Sequence, residues 1–231
     1  VVSDADRDPA VWPNTIAAVG QLVAEGLDLG PATILIGENG TGKSTLVEAI
    51  ATAYGMNPEG GSTGARNRTF DTESGLHSTI EFVRGAGASR WGYFLRAETL
   101  HGLYTYLELN SGDLNEAKYH RHSHGEGFRA ILDSSRFSGV GFFVMDEPEA
   151  GLSFGAQLAL VADLINFVRE NGAQVLIATH SPIIAALPGA HILELDHDGY
   201  HPATWSELEM VDHYRRFLNN PETYLRYLTT N

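Results

Sequence analysis

Gly37-Glu38-Asn39-Gly40-Thr41-Gly42-Lys43-Ser44-Thr45 fits the pattern G-x-x-x-x-G-K-[ST], and its flanks decide how it is read. Upstream, Thr33-Ile34-Leu35-Ile36 is a short β-branched, apolar run, which predicts a buried strand. Downstream, residues 46–54 (LVEAIATAY) predict a helix with Gly55 as its stop. Strand, glycine-rich turn and helix in that order make residues 37–45 a candidate phosphate-binding loop rather than a glycine-rich turn that binds nothing.

Each residue type has a physical reason. Gly37, Gly40 and Gly42 let the backbone bend around an anion with no Cβ in the way. The N–H groups along Glu38, Asn39, Thr41 and Thr45, and the N-terminus of the following helix, then face negative oxygens. Lys43 adds a point charge for the β- and γ-phosphates of a nucleotide, and the Ser44 hydroxyl is a candidate ligand of Mg2+.

The remaining runs build a sheet around this loop. Val140-Gly141-Phe142-Phe143-Val144-Met145 is continuously apolar and ends in Asp146-Glu147-Pro148-Glu149. Val175-Leu176-Ile177-Ala178 ends in Thr179-His180-Ser181-Pro182, and Ile192-Leu193-Glu194-Leu195 is closed by His197-Asp198-Gly199. Continuous apolar runs predict strands buried on both faces, with ligand-binding residues at their C-terminal ends. Helices are predicted over 158–168, 206–219 and 221–228. Residues 78–84 and 91–96, joined by Gly85-Ala86-Gly87-Ala88, predict an antiparallel hairpin. Residues 16–29 mix apolar positions with Gly20 and Gly26 and match no single period. The expected class is α/β, with a mostly parallel core sheet flanked by helices.

Asp146 and Glu147 form a second nucleotide signal. One carboxylate holds Mg2+ and its neighbour polarises the attacking water, so Asp146 is assigned to the metal and Glu147 to catalysis. His180, at the end of a buried strand, is positioned to donate a hydrogen bond to a γ-phosphate. Trp12 either stacks on a nucleotide base or fills a core crevice. His120, His122 and His124 alternate, but no cysteine or carboxylate cluster completes a metal set beside them.

Composition narrows the classes. The 231 residues suit one α/β domain, and 43% hydrophobic content is enough for a core. There are no cysteines, which excludes disulfides and thiolate metal sites. No apolar run is long enough to span a bilayer and no basic-plus-apolar leader opens the sequence, so a cytoplasmic protein without membrane insertion is expected. The net charge of −14, from 15 basic against 29 acidic residues, weighs against a broad grip on nucleic acid. It leaves room for local patches at Arg66-Asn67-Arg68 and Arg215-Arg216.

Residues 37–45, 123–126, 146–153 and 179–181 follow the order of the Walker A, signature, Walker B with D-loop and switch-histidine motifs, and the chain resembles the ABC-type ATPases. Asp146-Glu147-Pro148-Glu149-Ala150-Gly151-Leu152-Ser153 resembles the version in the SMC and repair-ATPase branch more than the transporter version. Phe94–Glu98, Ser123–Glu126 and Phe217–Arg226 also resemble small stand-alone bacterial ATPases, so the likeness spans nearly all of 1–231.

The resemblance implies a single P-loop ATPase domain with a helical signature lobe over roughly 98–137. It implies ATP and Mg2+ as ligands, and a homodimer that sandwiches two ATP molecules. Glu147 would then be the general base, His180 the switch, and Ser123, Gly125 and Glu126 would contact the nucleotide across the dimer. Histidine stands at 122 and 124 and glutamate at 126, departing from Leu-Ser-Gly-Gly-Gln. The usual Q-loop glutamine is not evident, and Glu98 is the nearest candidate for its Mg2+-side role. The rivals are a transporter subunit, a DNA-repair or defence ATPase, and a low-turnover nucleotide switch; each leaves an unidentified protein partner open.

Overall fold

The computed structural model describes residues 10–63, 75–85, 87–97, 140–170 and 172–229. Seven strands form one sheet: β1 (Ala32–Gly37), β2 (Gly61–Ser62), β3 (Gly92–Arg96), β4 (Phe142–Asp146), β5 (Gln174–Thr179), β6 (His191–Leu195) and β7 (Tyr200–Ala203). Their order across the sheet is β2-β3-β4-β5-β1-β6-β7. The five central strands run parallel, and β2 and β7 close the two edges antiparallel to β3 and β6.

The apolar strands are continuous because both faces of the sheet are covered. On one face Leu35, Phe94, Phe142, Val144 and Leu176 pack with Ala18, Val19 and Leu22 of α1 (Ala17–Glu25) and Leu46, Val47 and Ile50 of α2 (Lys43–Tyr54). On the other, Ile34, Ile36, Phe143, Met145, Val175 and Ile177 pack with Leu160 and Leu164 of α3 (Phe154–Arg169) and Ile184 of the one-turn α4 (Pro182–Ala185). Successive residues of β4 thus enter different cores, as a period of two requires. The C-terminal helix α5 (Glu209–Asn219) joins the second face through Val211, which is buried beside Leu208, and α6 (Glu222–Thr229) meets α5, where the His213 ring and the Tyr224 hydroxyl lie 2.8 Å apart.

Register aligns the strand ends. Ile36 of β1 is level with Thr179 of β5, Ala178 with Asp146 of β4, and Asp146 with Arg96 of β3. The loops leaving β1, β4 and β5 therefore emerge side by side at one edge of the sheet, where ligands of open parallel sheets bind.

The antiparallel hairpin exists, but at β6–β7, turned by Asp196–Gly199. Residues 78–84 do not form the expected strand. Leu76–Thr79 makes one turn of 3-10 helix, and the chain then runs irregularly through 85. The position beside β3 is taken by β2, whose Gly61 and Ser62 pair with Phe94 and Tyr93. The alternating apolar residues of 78–84 seal the end of α2 instead. Ile80 is buried, and the Phe82 ring lies 5.3 Å from that of Tyr54 and 6.3 Å from that of Phe142. Residues 16–29, which match no period, contain α1, and Gly26 ends it at a positive φ of 74°. The expected helical lobe over 98–137 lies outside the described residues.

Candidate nucleotide site

The loop between β1 and α2 turns through Gly40 and Gly42, at φ 84° and 98°. A Cβ at Gly42 would lie 2.5 Å from Cγ2 of Ile16, and one at Gly37 would lie 2.2 Å from the carbonyl oxygen of Leu195. Both glycines are dictated by packing as well as by backbone conformation. Gly42 caps α2 without a side-chain cap, and no acid occupies the first turn. The first helical bond runs from Leu46 N–H to Gly42 O, so the N–H groups of Lys43, Ser44 and Thr45 have no partner within the helix. They add to the positive end of the helix dipole.

Lys43 is 4% exposed. Its ammonium donates to the carbonyls of Gly37 (2.8 Å) and Glu38 (2.7 Å), which holds the charge inside the loop. Thr41 also donates to the Glu38 carbonyl, at 2.9 Å. Burial pushes the Lys43 pKa down, opposed by the carboxylates of Glu147, Asp146, Glu149 and Glu38. Asn39 and Gly40 are exposed at the tip of the loop.

Asp146 is buried at the end of β4, and its Oδ1 accepts a 3.0 Å hydrogen bond from the Ser44 hydroxyl. This bond spans 102 positions of sequence and joins the loop to the acidic turn. Hydroxyl and carboxylate are both hard oxygen donors of the kind Mg2+ takes, so the pair fits that ion. Arg96 Nε lies 3.7 Å from Asp146 Oδ2, and its Nη1 donates to Glu48 at 2.6 Å.

Glu147 adopts φ 50°, the left-handed region, a rare state for a residue with a side chain. Its N–H donates to Ala178 O, and its own carbonyl accepts from Ala150 N–H, closing a turn around the buried Pro148. The Glu147 carboxylate lies 3.5 Å from Nε2 of His180. Burial and then the Lys43 charge lower the His180 pKa below its ordinary value, while Glu147 and Glu149 oppose the shift. At neutral pH the imidazole is uncharged and keeps one N–H to donate.

The structure thus brings Lys43, Ser44, Asp146, Glu147 and His180 to one place. Trp12 is 56% exposed, four residues before the Ile16 that packs on Gly42. Glu98, Ser123, Gly125 and Glu126, the histidines at 120, 122 and 124, and Arg66 and Arg68 lie outside the described residues. Arg215 stacks over Trp205 at 5.1 Å and Arg216 pairs with Asp212 at 2.7 Å, so that basic pair is engaged within its own neighbourhood.

Two residues that the sequence does not single out tie the site together. Glu149 Oε1 accepts from the Thr179 hydroxyl (2.7 Å) and from His180 N–H (2.5 Å). The Gln157 amide accepts from the Ser181 hydroxyl (2.6 Å) and donates to Leu152 O (3.1 Å). Glu149 stands within the quoted acidic motif, but nothing local signals a partner 30 residues away.

Two family models match the chain: "AAA domain" over residues 21–123 and "AAA domain, putative AbiEii toxin, Type IV TA system" over residues 128–186. An uncharacterized ABC transporter ATP-binding protein of Haemophilus influenzae is 26% identical over 186 residues, 70% of this chain and 68% of that protein. The zinc import ATP-binding protein ZnuC of Photobacterium profundum is 30% identical over 179 residues, 74% of this chain and 66% of ZnuC. The chain therefore spans about two thirds of the length of these relatives. Among solved structures, the SMC head domain from Thermotoga maritima matches 77% of this chain and 92% of that one, with 15% identity and a TM-score of 0.41.

Proposed function

We propose that this chain, which matches two AAA-domain family models and is similar to ABC transporter ATP-binding proteins, is a P-loop ATPase that binds ATP with Mg2+ at residues 37–45 and hydrolyses it to ADP and phosphate. The observation that carries this is the 3.0 Å bond between Ser44 and Asp146 beside the buried Lys43, with Glu147 and His180 at 3.5 Å on the same edge of the sheet.

The chain's own groups have separable tasks. Loop N–H groups and Lys43 bind the β- and γ-phosphate oxygens. Ser44 and Asp146 would hold Mg2+, which when bound would offset the phosphate charge. Glu147 accepts the proton of the attacking water, and its left-handed turn aims the carboxylate off the end of β4. His180 donates to the γ-phosphate as a neutral imidazole and relaxes once that group has left. A second copy completes the site through residues 123–126, with two ATP molecules between the protomers. No helix among the described residues is long and apolar enough to cross a membrane, and the proposed site of action is the cytoplasm. The work done by hydrolysis is passed to an unidentified protein partner.

Phosphate release measured with ATP, with and without Mg2+, tests this reading. Turnover that needs Mg2+ and falls on Asp146→Asn supports it. Turnover indifferent to both would overturn it.

A further inference from the structure

The ladder between β4 and β5 stops one rung short of the residue that matters most. Asp146 is level with Ala178, and Glu147 N–H makes the last main-chain bond of the pair, to Ala178 O. The next β5 residue on that side is His180, because alternate residues of a strand turn their N–H and C=O the same way. By then the chain after β4 has left the sheet, through the left-handed Glu147 and the turn that ends at Ala150. The His180 N–H is met instead by the Glu149 carboxylate, which also takes the Thr179 hydroxyl. Both donors use Oε1, and Oε2 is buried with no hydrogen-bond partner among the described residues.

We propose that Glu149 is a positioning residue, whose carboxylate stands in for the missing rung of the β4–β5 ladder and fixes the backbone of His180, and through it the imidazole against Glu147. The inference rests on the reading of Glu147 and His180 as the residues that act on water and the γ-phosphate. Glu149 is bonded to the Thr179 hydroxyl and the His180 main chain and is assigned no contact with the water or the γ-phosphate.

The surrounding bonds make this a hinge between two loops. Thr179 Oγ1 donates to Glu149 and accepts from Ser181 N–H at 2.9 Å. Ser181 Oγ accepts from Ile183 and Ile184 N–H at the start of α4 and donates to Gln157, which reaches back to Leu152. The acidic turn and the histidine loop are therefore joined at both ends, by Glu149 near the chemistry and by Gln157 away from it. Only the Glu149 end meets the main chain of His180 itself. Its loss should release the histidine while the phosphate loop, far earlier in sequence and held by its own carbonyls, keeps its grip.

A double-mutant cycle tests this. Wild type, Glu149→Leu, His180→Ala and the pair are assayed for kcat and for KM with Mg·ATP. Glu149→Leu keeps roughly the length of the side chain and removes the acceptor. It is expected to lower kcat about 10- to 100-fold, the cost of a group displaced by about 1 Å, with KM within about twofold. In the His180→Ala background it should cost less than about twofold, because its effect passes through the ring that is gone. Glu149→Gln retains Oε1 and should restore kcat to within about threefold of wild type. Should Glu149→Leu fail to fold, Thr179→Val, which removes one of the two donors to Glu149 together with the acceptor of the Ser181 N–H, takes its place in the cycle with an equally non-additive loss.

Equal losses from Glu149→Leu in both backgrounds would overturn the proposal, as would no loss at all or failure of Gln to rescue. A His180→Ala variant as active as wild type would overturn the underlying assignment of His180, and this proposal with it. That outcome is separable from the others because it appears before Glu149 is touched.

Discussion

The phosphate loop 37–45 is shaped by its own backbone, whereas the acidic turn 146–153 is also fixed by side-chain bonds to residues outside it. In the loop, left-handed glycines set the path and the chain's own carbonyls hold Lys43. In the turn, Glu149 is anchored on Thr179 and His180, and Leu152 on Gln157. One half of the site is nearly complete within nine residues; the other exists only when β4, β5 and α3 are assembled. The phosphate grip should therefore tolerate loosening of the sheet edge, and the groups assigned to chemistry should not.

Apart from loss of Glu147 itself, the largest expected effect falls on the self-contained half. Lys43→Ala removes the loop's own cation and should lower turnover about 10²- to 10³-fold, with weakened ATP binding in a titration calorimeter. Unchanged binding would mean that the main chain carries the grip alone, an even sharper contrast.

Next comes the backbone itself. Gly37→Ala drives a Cβ to 2.2 Å from Leu195 O, a clash with main chain that no rotamer relieves. A loss of about 2–3 kcal/mol is expected, seen as a Tm lower by roughly 5–10 °C. Gln157→Leu probes the assembled half. It leaves the Ser181 hydroxyl without its acceptor and should cost about 1–2 kcal/mol in chemical denaturation, with a modest loss of kcat and little change in KM. Equal changes in kcat and KM would blur the distinction between the two halves.

The smallest effect is in pH. The folded-state pKa of His180 is lowered, so below the unfolded value of about 6.5 the unfolded chain binds a proton that the folded chain does not. Stability is therefore lost as pH falls from about 6.5 toward the folded pKa. The Tm of wild type should drop more between pH 7.5 and 5.5 than that of His180→Gln, by a small margin in thermal melts.

The same contrast explains what could be read from sequence. Residues 32–37, 142–146, 174–179 and 191–195 are legible as strands because burial on both faces leaves continuous apolar runs. The loop is legible because its chemistry needs glycine, lysine and serine at fixed spacing. β2 is not legible: it is Gly61-Ser62, which carries no strand propensity and is placed by its pairing with β3. That pairing also explains the false strand at 78–84, where alternation reflects Ile80 and Phe82 covering the end of α2. α1 is masked by Gly20, a solvent-facing position where a Cβ would meet nothing within 4 Å. Glu149 and Gln157 reach partners 30 and 24 positions away, distances over which residue spacing carries no information.

The central claim is that the two halves meet to hydrolyse ATP, and Glu147→Gln tests it most directly. Phosphate release and mass in solution are followed for wild type and variant with Mg·ATP. The account predicts a loss of turnover of about 10²- to 10⁴-fold in the variant, with nucleotide still bound and the protein held as a dimer. Undiminished turnover in a protein that stays monomeric would contradict it.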